Sequence, residues 1–368
     1  MTDSKTNAAS SCLFGLALGD ALGAETEFIQ SVAEIEARWG PGGPAEPGRR
    51  VTDDTQMTLA VGEALVAAER PYTAQTTEGP LRRAFISWNI SPENDRAPGV
   101  TCMTACGRLA QGLPWVRATV ASSKGCGANM RVAPVGLLPG VDDATRAALA
   151  QFQAALTHGH PTALAASDLT AEAVADLAAG GDPEGLPRRL RAHALSQREI
   201  YHADWLGELW ERPGEATPQG FIARGWDECL GSLARLEAAL ARADREADPC
   251  AITGEGWVAE EALATGLLCF LLFPDDPVAA VRRAAVSTGD SDSLACLAGA
   301  FAGAHRGLSA WPAPWVSGVE YHDRLAALGT AWDHGRIRPE PAYPSRRGAS
   351  CAAPPRAPPA RRAASRAS

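Results

Sequence analysis

Apolar residues recur at helical spacing along nearly the whole of this chain, and runs that alternate apolar with polar are scarce. Met57, Val61 and Leu65 follow one another every four residues. Phe221, Leu230, Leu233 and Leu236 mark a second helix, and Leu294, Leu297, Ala298 and Phe301 a third. Pro41-Gly42-Gly43-Pro44, Pro98-Gly99 and Pro274-Asp275-Asp276-Pro277 fall between such runs and punctuate helices, not hairpins. With 368 residues, 46% of them hydrophobic, the chain can bury a large core, and its excess of Ala and Leu favours helices packed closely through small residues. No repeat or linker interrupts residues 8–338, so the expected fold class is all-α, a single compact domain over that range. From about Pro341 the composition turns to Pro, Ala, Ser and Arg, and six arginines face no acid. Residues 341–368 therefore read as a disordered basic tail.

Charge and cysteine content narrow the functional classes. A net charge of −9 provides no basic field for nucleic acid, which is not an expected partner. The nine cysteines are odd in number, scattered, and form no C-x-x-C pair. That pattern fits a reducing, cytoplasmic setting without a disulfide framework or zinc site. The most apolar run, Leu263–Phe273, is too short to span a bilayer and suits a core helix. Lys5 followed by apolar Cys12–Leu18 imitates a signal peptide, but Asp20 comes at once, so targeting is not expected.

Two acidic clusters carry the chemistry. Thr52-Asp53-Asp54-Thr55 lies near one end of the chain and Gly289-Asp290-Ser291-Asp292-Ser293 near the other. The first opens a helix expected over about 54–69 and the second one over about 293–305. Read singly, either cluster is a helix N-cap before it is anything else. Two of the same composition are another matter. All-oxygen donor sets suit hard divalent cations, and helix N-termini keep carboxylates ionised. Brought together, they can hold two metal ions.

Two further stretches accompany them. Gly15, Gly19 and Gly23 stand four apart, which predicts close backbone packing against another helix; Glu25 and Glu27 follow directly. A carboxylate beside a metal pair can act as general acid/base or as a ligand. Gly125-Cys126-Gly127-Ala128-Asn129-Met130-Arg131 is a Gly-rich turn before an apolar segment, able to offer N–H groups to a phosphate. It is neither a Walker loop nor a Rossmann fingerprint.

In order, Gly15 to Glu27, Thr52 to Thr55, Arg96 to Thr101, Gly125 to Pro134, Thr157-His158, Gly256 to Leu263 and Gly289 to Ser293 resemble the motifs of the ADP-ribosylglycohydrolase family, over roughly residues 8–335. The resemblance implies a compact fold of orthogonally packed helices. It also implies two cations, Mg²⁺ or Mn²⁺, in a cleft, and hydrolysis of the bond between ADP-ribose and its acceptor. By that resemblance Thr52, Asp53 and Asp54 bind metal from one side, and Asp290, Asp292 and Ser293 from the other. Glu27 lies beside metals and substrate, with Asp292 sharing the catalytic role. Gly125, Cys126, Gly127, Ala128, Asn129, Met130 and Arg131 cradle the diphosphate and ribose, and His158 and Trp257 lie near the substrate. The implied partner is an ADP-ribosylated protein or a small ADP-ribose conjugate, acted on by a monomer away from any membrane. Ser287-Thr288 depart from the pattern, where many relatives carry a further glycine. The acidic clusters alone also allow a two-metal phosphohydrolase of nucleotide diphosphates, or an ADP-ribose-binding regulator without turnover.

Overall fold

The structure is a computed structural model that describes residues 7–338; the expected tail and Cys351 lie outside the described residues. The helices run α1 (Ala8–Gly23), α2 (Val32–Trp39), α3 (Asp53–Ala67), α4 (Ala74–Asn89), α5 (Val100–Ala110) and α6 (Trp115–Ala118). They continue through α7 (Ala133–Gly136), α8 (Asp143–Ala155), α9 (Pro161–Ala178), α10 (Leu186–Gln197), α11 (Ala203–Leu206) and α12 (Pro218–Arg242). The last are α13 (Cys250–Thr253), α14 (Ala259–Leu272), α15 (Pro277–Ala285), α16 (Ser291–Arg306), α17 (Ala313–Gly318) and α18 (His322–Asp333). Among the described residues there are no strands, and isolated bridges join only Val120 to His158 and Gly125 to Val258. The fold is all-α, as the apolar periodicity predicts.

Helix α1 is the axis. Its only charged residue is Asp20 and every one of its residues is buried; a helix apolar all round belongs inside a protein. Its glycines face α16. A methyl group on Gly19 would stand 1.9 Å from the Ala295 carbonyl oxygen, and one on Gly15 2.3 Å from that of Gly299. On the α16 side, Gly299 and Gly303 lie equally close to the carbonyls of Gly15 and Ser11. The two backbones therefore meet with no side chain between them, which is the return for glycines that each cost a helix interior roughly 1 kcal/mol relative to alanine.

This contact sets the register of the site. Its last glycine, Gly23, lies on Ser291 and Asp292: a methyl there would meet the Asp292 Cα at 2.5 Å. Ser291 Oγ donates to the Gly23 carbonyl at 2.9 Å, and Thr26 Oγ1 to that of Ala285 at 2.7 Å. Helices α9, α14 and α15 pack on α16, while α3 and α18 pack on α1. The first acidic helix begins one residue earlier than the sequence predicts and ends at Ala67, where Ala68 turns extended. The second begins two residues earlier, at Ser291. The eight cysteines of the described part are buried and free.

Candidate active site

The start of α3 is capped chiefly by a hydroxyl and by a carboxylate from another helix. Thr52 is its N-cap, with Oγ1 accepting from the Asp54 N–H at 3.2 Å. Asp20, fully buried on α1, accepts the Thr52 N–H on its two oxygens at 2.9 and 3.1 Å, and the Thr55 N–H at 3.0 Å. The N–H groups of Thr52, Asp54 and Thr55 are thus taken by Thr52 and Asp20. Asp54 carries no capping duty, and the Asp53 carboxylate accepts from its own N–H and from that of Gly99. At α16, Asp290 stands at the N-cap, but its side chain makes no capping bond. Asp20 had no assigned role in the sequence reading. The available signal was a lone carboxylate inside an otherwise uncharged, apolar helix.

The two clusters meet. Ser293 Oγ donates to Asp54 Oδ2 at 3.4 Å. Glu27, Asp290 and Asp292 each offer an oxygen within 4.8 Å of the others'. With Asp53, Asp54 and Ser293 they line a cleft of about 330 Å³. Gly125, Cys126, Gly127, Met130, His158 and Trp257 line it too, as does the segment 97–102, which the sequence reading left without a role. Phe28, Val100 and Trp257, 68%, 81% and 40% exposed, give the mouth an apolar rim. Thr52 opens onto an adjoining groove that shares Glu27, Phe28 and Ala97 with the cleft.

The Gly-rich turn is held by its neighbours. Cys126 N–H donates to the Trp257 carbonyl at 3.1 Å, and Ala259 N–H to that of Lys124 at 2.8 Å. Asp290 N–H donates to the Glu255 carbonyl at 2.8 Å, tying the same segment to the second acidic cluster. At Gly127 a methyl group would stand 2.7 Å from Cys102 Sγ and 3.1 Å from His158 Cε1, so the turn lies flat against both. Three residues expected to touch substrate face away from the cleft. Ala128 is fully buried, and Asn129 Nδ2 donates to the Ala259 carbonyl at 3.3 Å. Arg131 donates to Gln153 Oε1 at 2.9 Å and Thr157 Oγ1 at 2.8 Å, its guanidinium over the Phe85 ring. A fully buried guanidinium must find internal acceptors, and these hold Arg131 behind the turn as a prop.

The electrostatics are one-sided. Burial first, and then one another's charge, hold Asp20, Glu27, Asp53, Asp54 and Asp290 well above the usual carboxylate range. Asp292 is raised by burial, with hydrogen bonds acting against the shift. Oδ1 of Asp54 and Oδ1 of Asp292 are buried and accept no hydrogen bond. Among the described residues this cluster of acids has orphaned oxygens and no ion pair to a basic side chain, a donor set that suits a hard divalent cation. His158 differs: burial, then the nearby Arg131 charge, pushes it down to about 3, so it is a neutral imidazole. Its Nδ1 shares a 2.8 Å hydrogen bond with Thr157 Oγ1.

The fold belongs to a known class. A solved structure described as an ADP-ribosylglycohydrolase-related protein complex matches with a TM-score of 0.62 and 24% identity, over 90% of this chain and 99% of that one. The ADP-ribosylglycohydrolase family model matches residues 1–340, and the chain belongs to that family. It is 26% identical to ADP-ribosylhydrolase ARH3 of Homo sapiens over 349 residues, covering 86% of this chain and 90% of that protein. It is 34% identical to the ADP-ribosyl-[dinitrogen reductase] glycohydrolase of Rhodospirillum rubrum over 160 residues, 41% of this chain and 51% of that protein. An uncharacterised protein of Archaeoglobus fulgidus is 31% identical over 172 residues, 45% and 53% of the two chains. The matches thus span about half of the last two relatives and nearly all of the human one. Among the described residues no helix is long and apolar enough to cross a membrane.

Proposed function

We propose that this protein hydrolyses the glycosidic bond between ADP-ribose and a modified side chain or small acceptor, releasing ADP-ribose. The observation that carries this reading is the meeting of two acidic helix starts, 239 residues apart at Ser293 and Asp54, in one cleft. Thr52, Asp53 and Asp54 on one side, and Asp290, Asp292 and Ser293 on the other, are the residues that would hold two divalent cations, Mg²⁺ or Mn²⁺. When bound, such cations neutralise the carboxylates and polarise the hydroxyls of the ribose.

The chain's own groups divide the remaining work. Departure of the acceptor builds positive charge on the ribose ring. Glu27, half-buried at the mouth, is placed to move a proton between water and the leaving group, with Asp292 beside it to orient. The flat turn at Gly125, Cys126 and Gly127 receives the diphosphate and ribose along its backbone. Arg131 donates to Thr157 Oγ1, which shares a hydrogen bond with His158 Nδ1 and so holds the imidazole in place. The neutral His158 ring turns Nε2 toward Gly125 and Gly127. Trp257 offers a ring face at the rim. We take residues 8–338 as the catalytic unit, acting as a monomer in the cytoplasm; the free buried cysteines support that setting.

The test is incubation with ADP-ribosylated arginine, ADP-ribosylated serine and O-acetyl-ADP-ribose, with Mg²⁺, with Mn²⁺ and with EDTA. Free ADP-ribose, dependent on cation, is the expected product. Release of AMP or phosphate instead would replace this reading with that of a phosphohydrolase, and full activity in EDTA would remove the cations from it.

A further inference from the structure

The chain enters α3 through Val51, a buried residue that lies in neither a helix nor a strand. Its backbone polar groups therefore need partners from elsewhere. Both are supplied by one ion pair. Val51 N–H donates to Glu320 Oε2 at 3.0 Å, and the Val51 carbonyl accepts from Arg96 Nη1 at 2.6 Å. Arg96 and Glu320 are themselves joined by two parallel bonds, Nη1 to Oε2 at 2.7 Å and Nη2 to Oε1 at 2.9 Å. That bidentate geometry fixes direction as well as distance. The Arg96 side chain is 6% exposed.

The surroundings brace the pair. Arg96 Nε donates to the Glu93 carbonyl at 3.1 Å, and Tyr321 OH to Glu93 Oε2 at 2.6 Å. Gln56, one turn into α3, donates to the same Glu93 carbonyl and to Tyr321 OH, each at 3.1 Å. Ala97 and Tyr321, the residues next to each partner, both hold positive φ, 51° and 59°. Left-handed backbone in non-glycine residues persists only where the surroundings impose it. Val51 leads into Thr52, Asp53 and Asp54, and Arg96 leads into the cleft wall 97–102. One ion pair thus fixes the acidic motif and the facing wall relative to each other.

We propose that Arg96 and Glu320 are positioning residues: by holding both polar groups of Val51 they set where Asp53 and Asp54 stand, and so how tightly the cleft takes a divalent cation. The inference rests on the metal-dependent reading above. An ordinary surface ion pair would do neither, and one is available for contrast. Arg50 and Asp95, on the same two segments, form a pair 56% and 59% exposed.

The test is Mn²⁺ binding to the full chain by calorimetry, with thermal melting in EDTA alongside. Arg96→Gln and Glu320→Gln are expected to weaken Mn²⁺ affinity about 10–100-fold, the range for groups that orient metal ligands. Arg96→Lys keeps the charge but loses the fork, and should fall between them and the wild type. Arg50→Gln should bind as the wild type does. Should Arg96→Gln fail to fold, Arg96→Lys and Glu320→Gln carry the test. Equal Mn²⁺ affinity in the folded variants, with only the melting temperature lowered, would reduce the pair to a structural one and overturn the inference alone. A wild type that takes up no Mn²⁺ would overturn the inference together with the metal reading on which it stands.

Discussion

Two sets of buried acids in this molecule are satisfied in opposite ways. On α9, Asp168 accepts from Gln151 Nε2 and pairs with His193 Nε2, each at 2.9 Å. Its charge is met from within the fold. At the starts of α3 and α16, Asp54 and Asp292 each leave an oxygen with no donor, and the nearest charges are other carboxylates. Folding has to bring these groups together against their repulsion. A buried acid met by the protein's own donors is part of the scaffold. On the proposed metal-dependent reading, buried acids set against one another are kept for a cation, at the expense of stability while it is absent.

The largest test of that contrast is Asp292→Asn. Turnover should be lost, whereas the melting temperature in EDTA should rise by a few degrees, because one repelling charge is gone. A fall in both would place Asp292 among the scaffold acids. Next is Glu27→Gln, expected to cut turnover about 10²–10⁴-fold as for other proton-transfer groups, with ADP-ribose affinity falling far less. If affinity collapses while turnover stays near normal, Glu27 is a binding residue only.

The third prediction concerns pH. Unfolded carboxyls titrate near pH 4, but Asp20, Asp53 and Glu27 are raised to about 7, 8 and 9. Between those limits the metal-free folded chain holds more protons than the unfolded one, so its stability falls as pH rises. The contribution is complete below about pH 4 and is lost as pH climbs through the raised values. In EDTA the melting temperature should drop between about pH 5 and pH 8. Mg²⁺ or Mn²⁺ should restore most of it at the upper end and little at the lower, since cations compete with protons for the same oxygens. A flat profile in EDTA would end the idea of stored repulsion.

On the scaffold side, Asp168→Ala strips Gln151 and His193 of a shared acceptor. That should cost about 1–3 kcal/mol of stability and leave Mn²⁺ titration as it was. Smallest of all, removal of residues 341–368 should change neither melting temperature nor turnover on a small acceptor. A drop of several degrees would show that the boundary at Pro341 is misplaced.

Much of this was legible in the sequence because it is local. Helix periodicity, the glycines of α1 and the two acidic clusters are patterns of neighbouring residues, and the glycines even declared that a second helix had to lie against them. What escaped is what only packing decides. Arg131 sits in the Gly-rich motif yet turns to Gln153 and Thr157, because the space behind the loop is fully buried. Asp20 was visible as a lone acid, but its partner lies 32 residues on, at Thr52. The wall from Ala97 to Cys102 reaches the cleft through a left-handed turn at Ala97 that no propensity announces.

The glycine contact between α1 and α16 also bears on how the protein is made. Gly23 and Ser291, joined by a hydrogen bond, are 268 residues apart in the chain. At the 5–20 residues per second of synthesis, α1 waits on the order of tens of seconds for the helix that covers it. Throughout that interval an apolar helix, with carbonyls laid bare along its glycine face, has no native mate. The carboxylates near residues 53 and 290 likewise cannot meet until most of the chain has left the ribosome. The cleft is thus among the last features to assemble, and a nascent chain cut short before α16 carries neither a closed core nor a site.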